Sequence, residues 1–125
     1  MTDMNWIAFI AGAVAAMAFG FLIYGPVLGL QKRWAEGTRI SPEPPAKMPM
    51  FPMVTNWTGI LLLALIIGLT KTTQSLGVAL LAILCAAAYV ANTGAWAQKS
   101  GFAIAVDAAY VLGSGVLMIL AHAIL

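Results

Sequence analysis

Between Trp6 and Leu30 the chain runs for 25 residues without a charged side chain. As an α-helix at about 1.5 Å per residue, such a run is roughly 37 Å long, more than the roughly 30 Å hydrocarbon core of a bilayer. It predicts one tilted membrane span. The remaining composition agrees: 62% of the 125 residues are hydrophobic and 8% are charged, against about 25% charged in an ordinary soluble domain. A globule this small cannot hide that much apolar surface, and the mean hydropathy is +0.97. The expected class is an all-α integral membrane protein.

Three further apolar runs follow, at 54–70, 76–98 and 102–125, giving a four-transmembrane-helix bundle in a single domain, 1–125. Pro26 ends or kinks the first span, because it removes an amide donor and crowds the preceding turn. Residues 31–53 are different in kind. Lys32, Arg33, Glu36, Arg39, Glu43 and Lys47 are six of the ten charged residues, and five of the six prolines fall here. This is the one substantial extramembrane loop. The short polar turn Lys71-Thr72-Thr73-Gln74-Ser75 makes the second and third spans an antiparallel hairpin, and Lys99-Ser100-Gly101 joins the third to the fourth.

Four basic residues in the long loop and Lys99 lie on one side, against Lys71 and the N-terminal amine on the other. The positive-inside rule makes the loop cytoplasmic and puts both termini on the opposite side, the periplasmic side of a bacterial inner membrane. Trp6, Trp34, Trp57 and Trp96 fall at or near segment ends, where amphipathic rings sit well among headgroups. The N-terminus has no basic n-region and no small-x-small cleavage site, so the first span is expected to stay in the mature protein. A net charge of +2 without a basic patch argues against nucleic-acid binding. Cys85, the one cysteine, has no intrachain partner and reads as a small hydrophobe.

Asp107 is the one carboxylate inside a span. Asp107, Tyr110, Ser114, Met118 and His122 share a face roughly 120° wide at about 100° per residue. Cys85, Tyr89, Asn92 and Trp96 share a face of the third span. With the turn centred between Lys99 and Ser100, antiparallel packing sets Asn92 level with Asp107, Tyr89 with Tyr110 and Cys85 with Ser114. A carboxyl group in a span costs a few kcal/mol and needs a partner. The expected polar cluster is Tyr24, Asn92, Asp107 and Tyr110, with Asn56 as a further candidate. Two uses are open: interhelical hydrogen bonding that holds the bundle together, or a proton, ion or ligand site.

Gly12, Ala16 and Gly20 form a small-residue ridge on the first span, and Gly25 with Gly29 gives a G-x-x-x-G spacing. Such ridges allow close helix approach, within the bundle or against a partner. Met48, Met50 and Met53 have thioether spacing that suits Cu(I), but an apolar segment lying on the membrane is the preferred explanation, and no metal site is expected. His122 has no second histidine to join it in a metal site.

Asn5-Trp6, Tyr24-Gly25-Pro26-Val27-Leu28-Gly29, Trp34, Trp96 and Asp107-Ala108-Ala109-Tyr110 form a set of short motifs spread over nearly the whole chain. In these residues the sequence resembles a family of small bacterial four-span proteins catalogued as domain of unknown function 1761. Two positions depart from its pattern: Ile23 replaces a tryptophan, and Asp107 stands where asparagine is usual. The resemblance implies a four-helix membrane protein and supplies no catalytic residues. Small four-span multidrug exporters are similar in size, but they depend on a glutamate in the first span, and this first span has no acid.

Paired carboxylates, a metal-ligand cluster, a Ser-His-Asp set and a phosphate-binding glycine loop are all missing. The expected function is non-enzymatic and without a cofactor. The chain would be an accessory or structural subunit that packs in the lipid bilayer against a larger membrane-protein complex, or a homo-oligomer. The alternative is a small transporter or channel working through Asp107.

Overall fold

The computed structural model describes residues 3–25, 28–40 and 50–125. They form five helices: α1 (Trp6–Tyr24), α2 (Gln31–Thr38), α3 (Met50–Thr72), α4 (Leu76–Trp96) and α5 (Gly101–Ile124). There is no strand among the described residues. The four helices other than α2 are long and apolar enough to cross a membrane.

Local chemistry sets the boundaries. Asn5 caps α1, its side chain accepting from the Ala8 amide at 3.0 Å. The helix stops at Tyr24, short of the expected Leu30, because Gly25 precedes a proline and takes an extended conformation (φ −87°, ψ −179°). The segment expected to be loop from 31 to 53 contains two helical stretches. The α2 helix occupies 31–38 and ends with Arg39 in the left-handed region, where the Ile40 amide returns to the Ala35 carbonyl at 3.0 Å. The α3 helix begins at Met50, four residues before the expected start, with Pro52 in its first turn, where a missing amide costs nothing. Met50 and Met53 are therefore helical, one turn apart, while Met48 lies outside the described residues. Gln74 and Gln98, both at positive φ, close α3 and α4, with amide returns from Ser75 to Thr70 and from Lys99 to Gly94.

Small residues bring α1 and α5 close together. Gly12 lies against the Met118 backbone, Gly113 against the Phe19 ring and Gly20 against Tyr110, while Ala8 and Ala16 are fully buried. The ridge Gly12, Ala16 and Gly20 is thus occupied inside the molecule. Gly25 and Gly29 differ, since both follow the end of α1, and Gly29 (φ +72°) has open space around it. Their G-x-x-x-G spacing never lies on a helix. Met118 is the largest fully buried side chain, in a core with Ala13, Ile60, Ala64, Ile67 and Ile83.

The α4–α5 register falls within one residue of expectation, with Ile83 against Gly115 and Gly94 against Ile104. The rotation of α4 does not. Its buried residues are Ala79, Ile83, Ala87 and Gly94, on the side of the helix opposite Cys85, Tyr89, Asn92 and Trp96. Those four are all exposed, Trp96 most of all at 83%. Alanine and glycine allow the two backbones to approach, whereas Tyr89 and Trp96 in the seam would hold them apart.

The antiparallel arrangement gives the bundle two distinct ends. Tyr24 and Asp107 meet at one end, and Met4, Gly68 and His122 meet at the other.

Candidate functional site

Asp107 lies in the second turn of α5 and is 9% exposed. Three donors from three other parts of the chain converge on it. Tyr24, the last residue of α1, donates its hydroxyl to Oδ1 at 2.6 Å, and Trp34 of α2 donates its indole Nε1 to the same oxygen at 2.9 Å. Lys99, in the turn before α5, places its Nζ 2.8 Å from Oδ2. The carboxylate is therefore neutralised by a cation and contacted on both oxygens.

The donors also pack on one another. Tyr24 meets Trp34 edge to face with centroids 4.8 Å apart, and the Lys99 ammonium is 5.9 Å from the Trp34 ring. Tyr110, one turn along α5 from Asp107, meets Tyr24 at 5.3 Å and stacks on Phe19 at 6.1 Å. Its hydroxyl donates to Asn56 Oδ1 of α3 at 3.2 Å, and Gly20 leaves the space its ring needs. The polar chain thus links α1, α2, α3 and α5 at one end of the bundle.

The α2 helix is held there by more than Trp34. The Ser100 amide donates to the Gly37 carbonyl at 2.9 Å, and the Arg33 guanidinium sits 4.0 Å above the Phe102 ring. Ser100 also caps α5, accepting from the Ala103 amide at 3.1 Å. One short turn therefore caps α5, docks α2 and delivers Lys99 to Asp107.

Of the four residues expected to cluster, Tyr24, Asp107 and Tyr110 come together, and Asn56 joins them. Asn92 does not, because α4 turns the other way and leaves it exposed on the outer face. Trp34 and Lys99 are the two members that sequence reasoning missed. Trp34 read as a headgroup anchor, since nothing suggested that residues 31–38 fold into a helix with an inner side. Lys99 read as a topology signal, because it precedes the α5 N-cap and helical spacing does not relate it to Asp107. One signal was present: Tyr24, Trp34, Asp107 and Tyr110 all belong to the residues that carried the family resemblance.

A cleft of about 330 Å³ opens beside the cluster between α1, α3 and α5, lined by Met17, Phe21, Tyr24, Asn56, Trp57 and Tyr110. Met53 also lines it. Among the described residues, no three His, Cys, Asp or Glu side chains gather as a metal site.

A family model described as "Protein of unknown function (DUF1761)" matches residues 7–123. No curated protein and no solved structure matches the chain.

Proposed function

We propose, for a chain that belongs to the DUF1761 family of proteins of unknown function, a non-enzymatic role as a small accessory protein spanning a membrane four times. It docks through α4 on a larger membrane complex or on another copy of itself. The observation that carries this reading is the outward face of α4, where Tyr89, Asn92 and Trp96 stand beside Cys85. An asparagine amide on the outer face of a span, one turn inside Trp96, faces hydrocarbon that cannot satisfy it, and a helix presented by a partner offers hydrogen bonds. The state of Asp107 supports the same reading. With Tyr24, Trp34 and Lys99 already bound to it, the carboxylate serves as a clasp that holds α2 against the bundle.

Set in a bacterial inner membrane, the chain is oriented by its basic residues with the Asp107 end cytoplasmic and both termini periplasmic. Lys32, Arg33, Arg39 and Lys99 belong to the Asp107 end and Lys71 to the other. Extraction in mild detergent through a C-terminal tag, followed by native mass spectrometry, tests the role. A stoichiometric larger partner or a homo-oligomer is expected, either of them lost in Asn92→Leu. A wild-type chain that elutes as a monomer defeats the proposal.

A second reading, a small transporter or channel, rests on the cleft beside Tyr24 and Tyr110. A transported proton or cation would then compete with Lys99 for Asp107. Loss of transport in Asp107→Asn with assembly intact would favour this reading.

A further inference from the structure

His122 lies at the end of the bundle opposite Asp107. It is 7% exposed, and neither ring nitrogen has a hydrogen-bond partner among the described residues. An imidazole always carries at least one N–H donor, and buried polar groups are seldom left unpaired. The ring lines a cavity of about 240 Å³ between the end of α3, the start of α4 and the last turns of α5. Thr70, Lys71, Gln74 and Ser75 line the same cavity, and among the described residues no acidic side chain does.

The start of α4 adds a second set of donors. The helix is 21 residues long, and the side chain of its N-cap residue, Ser75, makes no capping hydrogen bond. That hydroxyl instead pairs with Thr73, at 2.9 Å from its Oγ1. Val78 and Ala79 already donate to the Ser75 carbonyl, at 3.0 and 3.2 Å, which leaves the Leu76 and Gly77 amides, with the positive end of the helix dipole, open to an anion. Lys71 contributes a full positive charge. The inner wall is apolar, with Ala79 and Ile119, and suits a hydrocarbon chain running down from a headgroup.

We propose that this cavity binds a phosphate oxyanion, with Lys71, the α4 amides and the His122 N–H as its donors. A phosphate presents several oxygens to donors arriving from three helices, which a single carboxylate matches less well. The source is the headgroup of an anionic phospholipid or free phosphate. The inference stands independently of whether α4 docks on a partner.

The chain has one histidine, so ¹⁵N-histidine labelling reports the imidazole without assignment. The spectra to compare are those of protein in nanodiscs of dioleoylphosphatidylglycerol and of dioleoylphosphatidylcholine. A parallel titration uses maltoside micelles and inorganic phosphate at constant pH and ionic strength. A ring-nitrogen shift between the two lipids identifies the headgroup as the source. A saturable shift with inorganic phosphate identifies the free anion.

Lys71 is exposed, so Lys71→Gln leaves the packing intact. It should cancel the difference between the lipids, or raise the phosphate concentration at half-saturation about tenfold. Identical spectra in both lipids with no response to phosphate overturn the proposal. So does a response that Lys71→Gln leaves unchanged.

Discussion

The indole of Trp34 and the carboxylate of Asp107, 73 positions apart in sequence, are joined by a 2.9 Å hydrogen bond from Nε1 to Oδ1. This contact gives the polar helix α2 an inner side. Lys32, Arg33, Glu36 and Arg39 of this region are exposed, whereas Ala35 is buried and Trp34 half-buried. An eight-residue helix is too short to be stable in isolation. Its docking on α5 depends on Trp34, on the Gly37 carbonyl and on the contact of Arg33 with Phe102.

Trp34→Phe removes the N–H and keeps most of the ring. The expected loss is about 1–2 kcal/mol, that of a hydrogen bond to a charged acceptor that keeps its other partners. It should be concentrated in α2. Hydrogen exchange in micelles checks this: amides of 31–38 should exchange faster in the variant, while those of α1 and α5 keep their protection. Uniform acceleration across all helices would mean that Trp34 supports the whole bundle.

Lys99 and Asp107 form the other half of the clasp. Lys99→Met leaves a largely buried carboxylate with two neutral donors and no cation. Because the Lys99 side chain is 24% exposed, the cost is set at about 2 kcal/mol, below the range for a fully buried pair. Asp107→Asn keeps an oxygen that accepts from Tyr24 and Trp34 and removes the charge, so it tolerates loss of Lys99. In a double-mutant cycle the Asp107→Asn, Lys99→Met protein should be more stable than the sum of the single losses predicts. Thermal melts in micelles measure all four corners, and additivity would show that the ion pair contributes nothing.

Burial of α4 was the least legible part of the fold. The four apolar runs mark the four long helices to within six residues at their ends but not α2, and the short turn at 97–100 fixes the α4–α5 register to within a residue. Rotation about the axis is decided by which face packs more closely. On α4 one face carries polar and aromatic groups and the other carries Ala79, Ala87 and Gly94. Hydrogen-bonding capacity alone favours the first, with Asn92 as the partner of Asp107. The structure gives Asp107 donors from Trp34 and Lys99 instead, both outside the long apolar runs, and the small residues then take the seam. The site was legible where its members sat inside apolar runs, at Tyr24, Asp107 and Tyr110. It was hidden where a short amphipathic helix and a turn supplied them.

The contact between α1 and α5 depends on glycine at 113, where any Cβ would overlap the Phe19 ring. Gly113→Val should separate the helices or force Phe19 from its rotamer, at about 1–3 kcal/mol. Phe19 stacks on Tyr110, so the disturbance should reach the Tyr110 to Asn56 hydrogen bond. Gly59→Ala is the control, since a Cβ there meets nothing within 4 Å. Melting temperatures in micelles should fall for Gly113→Val and hold for Gly59→Ala.

Cys85 offers a direct probe of the outer face of α4. It is the one cysteine in the chain and is exposed, on the same face as Tyr89 and Asn92, so no cysteine needs to be introduced. If two copies meet through this face, oxidation with copper phenanthroline in native membranes should produce a disulfide-linked dimer. The bond forms only when the two Cα atoms lie within about 7 Å. Asn92→Leu removes the interhelical hydrogen bonds and should lower the crosslinked fraction several-fold without changing the melting temperature of the monomer. If Cys85 instead crosslinks to a different chain, the partner is a larger complex and the product's mass identifies it. Failure to crosslink in native membranes, with Cys85 freely labelled by maleimide, would show that no second thiol comes within reach of it on this face.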